Sequence, residues 1–307
     1  MKRILMIMLA VALSSPLLAK DIRHRFLINN FMGKSLHYVD QFDSSNNWQV
    51  KLGQTAMDMQ LVGDNQVMVN TSKGYDLYDL KTRKKTKSFS SKKMRGIKSM
   101  RRLADGRTFF ANQNGSIYEF DQNEDFIAEY KMPKVVTYVR LMRFTPKGNL
   151  LLACNDGAFE ISLKKGLQPE ERLVKSFLIP RPRNAYMALY APDGNAVYVS
   201  GGYSKGFYTF DPEGKLLKDT VISQPEGLHN FFYAGFQVME NRHIVMSNWT
   251  GHSRKDFKPG LKLVELDKDH NVVWSWNEEF GGTVNQVIVL DELNTLKLNE
   301  DTSGILR

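Results

Sequence analysis

One cysteine in 307 residues, Cys154, leaves no partner for an internal disulfide, so whatever stabilises this chain has to come from its packed core. Cys154 closes the apolar run Leu150-Leu151-Leu152-Ala153-Cys154 and reads as a small buried residue rather than a reactive thiol. After residue 20 no helical apolar stripe of useful length appears, which argues against helical bundles and doubly wound α/β folds. Gly-rich phosphate loops, a serine nucleophile elbow and a cysteine pair are all missing. No metal is expected, because acidic residues do not cluster with the histidines. No stretch has the composition of an interdomain linker, and residues 20–307 read as one domain.

The first nineteen residues stand apart. Met1-Lys2-Arg3 gives a basic start, Ile4 to Leu13 an apolar run too short for a membrane span, and Ser14 to Ala19 a small-residue exit. That is the pattern of a signal peptide, residues 1–19, cut after Ala19. The expectation is an exported protein, periplasmic or secreted, which touches the membrane only through this leader.

What the chain has instead of helices is a cadence of short apolar runs that returns about every 40 to 50 residues. One turn of it is MQLVGDNQVMVNTSKGYDLYDLKTRKKTKSF, from Met59 to Phe89, and the next runs from Ser99 to Lys131. Each turn reads strand, Gly/Asn/Asp turn, strand, loop, strand, turn, strand. Such a period with alternation inside each run predicts a β-propeller of four-stranded blades. Full blades are expected at 56–90, 96–133, 138–180, 185–223 and 232–278. Ahead of them lie only three strands, within 24–54, and behind them one, at 283–291. The C-terminal strand should therefore join the N-terminal three, closing an all-β ring of six blades with no exposed sheet edge.

In such a ring, the loops between the second and third strands and the connections from one blade to the next open on one face. The loop of the last full blade, Asn248 to Pro259, is the longest and carries Trp249, His252 and Arg254. The connection into that blade carries His229 and Asn230, and neighbouring loops supply Tyr203 and Arg183. Long loops on a rigid scaffold usually bind something. Aligning the innermost strands by their turns puts Asp58, Ser99, Arg140, Tyr186, Ala234 and Asn285 at one level near the axis. Asp58 and Arg140 either offer fixed polar groups to a wet channel or satisfy each other.

The formal charge of +9 is uneven, with twelve Lys or Arg residues and one acid between Lys81 and Arg107. That block predicts a basic edge suited to anionic partners, or simply a solvated outer strand. Export argues against nucleic acid as a partner. The expected state is a monomer.

Two resemblances add to this. Leu261 to Asp267, Val272 to Trp276 and Tyr208 to Lys215 resemble the blade endings of secreted bacterial six-bladed propellers of the quinoprotein-repeat-like (PQQ-like) group. In quinoprotein dehydrogenases of that kind the cofactor needs adjacent cysteines and an acidic calcium site, so the single cysteine implies no cofactor here. The stretch from His229 through Phe236 to Asn248 is similar to the histidine-bearing blade of bacterial arylsulfotransferases. That likeness would make His229 the group that accepts a sulfuryl moiety, with Asn230, His252 and Arg254 around it. The leading expectation is an exported, non-enzymatic propeller that binds a polar or anionic ligand, or a protein partner, at the rim of blade six. The alternative is a histidine-dependent group transferase.

Overall fold

A computed structural model describes residues 22–221, 232–258 and 260–299, apart from the side chains of Val221 and Arg254. His229 and Asn230 lie outside the described residues, as does the segment read as a signal peptide. The strands are β1 (Arg25–Asn30), β2 (Ser35–Asp40) and β3 (Trp48–Lys51), followed by β4 (Met59–Gly63), β5 (Gln66–Thr71), β6 (Gly74–Asp79) and β7 (Lys85–Ser90). A third group is β8 (Ile97–Arg102), β9 (Thr108–Asn112), β10 (Ser116–Phe120) and β11 (Phe126–Lys131). The fourth is β12 (Met142–Phe144), β13 (Leu150–Cys154), β14 (Gly157–Ile161) and β15 (Leu173–Leu178). The fifth is β16 (Met187–Tyr190), β17 (Val197–Ser200), β18 (Gly206–Phe210) and β19 (Leu216–Val221). The chain ends with β20 (Tyr233–Val238), β21 (Ile244–Asn248), β22 (Leu263–Leu266), β23 (Val272–Trp276) and β24 (Val284–Val289).

These strands make six antiparallel four-stranded sheets, a six-bladed propeller. Blade one is composite, in the order β24-β1-β2-β3. Leu27 pairs with Ile288 and Ile28 with Val287, so the far end of the chain closes the ring as the sequence predicts. Inner strands such as β13 and β24 are buried along their whole length, because each blade is covered on both faces by its neighbours. Outermost strands such as β7 are exposed and carry the charge. Between blades three and four, Phe109, Val139, Leu152 and Phe159 form one continuous core, and Cys154 is buried in it with its thiol pKa pushed up by burial.

The repeat has a physical signature finer than its strand count. In all five continuous blades the pairing of the third strand with the fourth slips by one residue near the end of the third strand. Such a bulge twists the outer strand away from its neighbour. In four of these blades an aspartate follows the slip: Asp79, Asp121, Asp211 and Asp267. Each turns its carboxylate back to accept two backbone N–H groups of the next turn, at 2.6 to 3.1 Å. This local closure gives the Phe210-Asp211-Pro212-Glu213-Gly214-Lys215 type of blade ending its recurring form. The first hairpin turns take positive φ at Asp64, Asn65, Gly106, Gly148 and Gly194, as their composition predicts. In blade six it is Arg242, not Glu240 or Asn241, that adopts it.

Third strands open on glycine at Gly74, Gly157 and Gly206. A Cβ on Gly157 would stand 2.1 Å from the Phe177 carbonyl oxygen, and φ there is +145°. The outer strand lies too close for any side chain. Gly157→Ala is therefore expected to cost about 2–4 kcal/mol, read as a lower urea midpoint at unchanged slope.

The closure carries an ionic latch. His24, just before β1, places Nδ1 2.9 Å from Asp291 beyond β24 and Nε2 2.9 Å from Glu265 on β22. Glu265 also holds His243 at 2.6 Å. Burial opposes charge on His24, but the hydrogen bonds to Asp291 and Glu265 and their charges outweigh it and lift its pKa to about 9. The segment after β24 is docked as well, with Asp64 and Asn65 donating their backbone N–H groups to Leu296 and Thr295.

Of the basic block between Lys81 and Arg107, Lys81, Arg83, Lys84, Lys85, Lys87, Lys92, Lys93 and Arg95 are exposed at the propeller edge. Alternate residues of a strand face opposite ways. Lys87 reaches Glu124 at 2.8 Å, Lys93 lies over Phe126, and Arg107 binds Asp105 and Glu119 at 2.7 and 2.8 Å. Arg101 and Lys98 turn toward the axis.

Candidate functional site at the axial mouth

The face built from second-to-third-strand loops and blade connections holds a cavity of about 220 Å³ over the propeller axis. All six blades contribute. Phe31 comes from the β1–β2 turn, Met57 from the segment leading into β4, and Lys98 from β8. Gln113 lies in the β9–β10 turn, and Tyr138 and Arg140 on the approach to β12. Tyr186 precedes β16, Tyr203 sits between β17 and β18, and Phe232 precedes β20. Trp249 and His252 belong to the long loop after β21, and Asn285 to β24.

One wall is aromatic and already assembled. Phe232 meets Tyr186, Tyr203 and Trp249 edge to face, with ring centres 5.5, 4.6 and 5.4 Å apart. Trp249 in turn takes His252 at 4.3 Å. Phe232 and Trp249 are buried although they line an open space. Edge-to-face contacts among them hold the wall in place without filling the cavity. The loop behind it is pinned: Thr250 donates to the Asp256 carbonyl at 2.7 Å, and the Lys262 ammonium donates to the Phe257 carbonyl.

The cavity also carries charge. Arg140 lays its guanidinium 4.4 Å over the Tyr138 ring, and its Nε is buried without a hydrogen-bond partner among the described residues. Tyr138 sits at φ +59°, a conformation costly for a bulky side chain, held by backbone bonds from Val139 to Gln113 and from Arg140 to Ala153. Lys98 stands near enough that burial, and then the Arg140 charge, lower its pKa. Among the described residues neither Lys98 nor Arg140 has a carboxylate partner, and no carboxylate lines the cavity. Tyr186 accepts from Asn285 at 3.1 Å and donates to the Met57 carbonyl at 3.4 Å. Burial raises its pKa, so it presents a neutral phenol.

Beneath the cavity lies a second polar level. Asp58 is fully buried and takes Arg143 in a two-point contact at 3.2 Å and Arg101 at 3.0 Å, with Ser99 and the Met100 N–H completing its shell. Burial raises the Asp58 pKa, but the two guanidinium groups and these hydrogen bonds outweigh it and hold the carboxylate below its usual range. Asp58 and Arg140 thus do not satisfy each other, contrary to one of the two sequence expectations. Arg101 and Arg143 occupy the place that reading gave to Arg140. Among the described residues the axial column holds four cations, Lys98, Arg101, Arg140 and Arg143, against the carboxylate of Asp58.

Of the residues proposed from sequence, Arg140, Tyr203, Trp249 and His252 converge on the cavity, and Asp58 lies below it. Arg183 is exposed and lines no part of the cavity; only its backbone carbonyl takes part, accepting from the Tyr203 N–H at 3.0 Å. His229, Asn230 and the Arg254 side chain fall outside what is described. Sequence reading missed Lys98, although a lysine inside the otherwise inward run Ile97-Lys98-Ser99-Met100 was a signal. It also missed Arg101 and Arg143, whose repeated Met-Arg pairs, Met100-Arg101 and Met142-Arg143, mark equivalent places on adjacent inner strands. Among the described residues no three His, Cys, Asp or Glu side chains gather as a metal site.

No family model matches the sequence, and no curated protein matches it. Solved structures do. A protein of unknown function from Bacteroides caccae aligns with a TM-score of 0.71 at 18% identity, covering 88% of this chain and all of that one. Streptogramin B lyase aligns with a TM-score of 0.58 at 11% identity, covering 92% of this chain and 86% of the lyase. The WD40 propeller domain of Doa1 follows at 0.53 and 12%, covering 72% and 70%. At these identities the likeness establishes the propeller fold.

Proposed function

We propose that this propeller is an exported binding protein that captures a small anion at its axial mouth without transforming it. The observation that carries the reading is the pair Lys98 and Arg140, two cations held close in one cavity with no carboxylate among the described residues to answer them. Like charges in a partly dry site cost stability, and an arrangement that costs stability is retained where binding uses it. An anion seated between them would relieve that repulsion and reach the Arg140 Nε, to which no described residue bonds. The basic balance of the chain would speed its arrival.

The test is thermal denaturation with small carboxylates, sulfates and phosphates beside their neutral amides and alcohols. Only the anions are expected to raise Tm, through a stabilisation of RT ln(1 + [L]/Kd), about 2.7 kcal/mol at a hundredfold excess over Kd. Replacing both cations, Lys98→Met with Arg140→Met, should abolish that rise while leaving the unliganded protein as stable as before or more so. Equal rises with the neutral compounds, or a rise that survives in the double variant, would refute anion capture here. Release of nitrophenolate from 4-nitrophenyl sulfate, with a histidine adduct by mass spectrometry, would replace capture by group transfer through His229.

A further inference from the structure

Resting on that reading, we infer that the ligand is a single aromatic ring bearing an acidic group, with the ring against Phe31, Tyr203, Phe232 and Trp249 and the acid at Arg140 and Lys98. Size limits the choice first. An apolar cavity of about 150 Å³ receives benzene, and one water occupies about 30 Å³. The roughly 220 Å³ here therefore takes one ring, leaving space for an acidic group and a bridging water. Any larger part of a ligand would have to extend out of the open mouth.

Polarity then orients what fits. Arg140 lies over Tyr138 beside Lys98, and the Phe232–Trp249 wall lines the same cavity. A bare inorganic ion would leave that wall against water. An aliphatic acid would cover it without the edge-to-face contacts that aromatic pairs add, which amount to about a two- to tenfold gain in affinity. Because the wall rings already hold one another at 77° to 87°, they are in position before any ligand arrives. Met57, buried and flexible, can adapt to a substituent on the ring.

Titration calorimetry on the full chain, with tryptophan fluorescence in parallel, tests this using benzoate, benzenesulfonate and phenyl phosphate as ring-bearing acids. Acetate and sulfate serve as acids without a ring, cyclohexanecarboxylate as the saturated analogue, and benzamide as the neutral isostere. At least one ring-bearing acid is expected to bind tenfold or more tighter than acetate and sulfate and severalfold tighter than cyclohexanecarboxylate, with benzamide weakest. The best of the three identifies the acidic group. Trp249→Phe should keep the binding and lose most of the fluorescence change, whereas Trp249→Leu should weaken ring-bearing acids and leave acetate unaffected. If acetate or sulfate binds as tightly as every ring-bearing acid, the aromatic reading falls and anion capture stands. If benzamide matches benzoate, anion capture falls too. No binding by any ring-bearing acid at millimolar concentration overturns the inference outright.

Discussion

Asp58→Asn is expected to lower stability by about 3–5 kcal/mol, the penalty typical of removing one partner from a buried ionic cluster. The change is one atom in size, so the loss is electrostatic. Arg101 and Arg143 are each 3% exposed, and without the carboxylate they would remain side by side in the axis with no counter-charge. In a fold of this size that corresponds to a fall in Tm of roughly 10 °C, measured by circular dichroism. Combining Asp58→Asn with Arg101→Met should recover part of the loss, because the second change removes a charge that the first stranded. The Asp58 pKa is depressed on folding, so its contribution is complete above the ordinary aspartate value and fades as pH falls through the depressed one. The gap between wild type and variant should accordingly close in strong acid. A variant that melts within a degree or two of wild type at neutral pH would show that the cluster does not stabilise the axis.

The second large effect is a stability maximum near pH 6.5 with a limb on each side. On the alkaline side stands His24, whose pKa is raised to about 9. Its contribution is fully present below the ordinary histidine value and is lost as pH rises through 9, about 3 kcal/mol in all. On the acid side stand His37 and His270. Burial, aided by Lys51 for the first and Lys218 for the second, lowers both to about 4. Their contribution is present above the ordinary value and is lost as pH falls through 4. Lys262, which burial brings down to about 8, works against His24 at high pH, because losing its charge favours the folded state. The alkaline limb is therefore best read between pH 6.5 and 8, by urea denaturation at fixed ionic strength. His24→Gln should flatten that limb, trim the part of the acid limb that Glu265 supplies, because His24 helps hold the Glu265 carboxyl below its usual range, and leave the part from His37 and His270 in place. An alkaline limb that keeps its slope in the variant would mean that the latch around Asp291 and Glu265 is not the source.

Period-two alternation and turn composition were enough to predict six blades and the way their ends join. Both are local properties repeated many times, and β24 could pair with β1 alone once every other strand had a partner. Tyr203, Trp249 and His252 could be grouped because a propeller assigns each loop to one face or the other, and Arg140 is placed near the axis by aligning the innermost strands. The finer placements were not legible. Arg140 and Arg143 are three residues apart, and which of them meets Asp58 depends on where β12 begins. Regular pairing starts only at Met142, and Tyr138 takes a left-handed turn just before it. Arg140 is thereby laid over Tyr138 and faces the cavity, while Arg143 points into the axis. Within the basic block, Lys98 and Arg101 leave the exposed edge for the cavity and the axis, which the charge count alone could not show. Phe31 and Gln113 have no chemistry that marks them in isolation, and only the closed ring brings them to one opening.

The pairing of β24 with β1 also shapes the route by which the chain folds. Each continuous blade can form from contacts within some 40 residues and then stack on its neighbour, whereas Phe26 must find Val289 across most of the polypeptide. Contacts of such separation form late and slowly. Until they do, β1 presents a bare edge that any copy of β24 can fill, including one from another molecule. Refolding at high concentration should therefore yield dimers in which two chains exchange their closing strands.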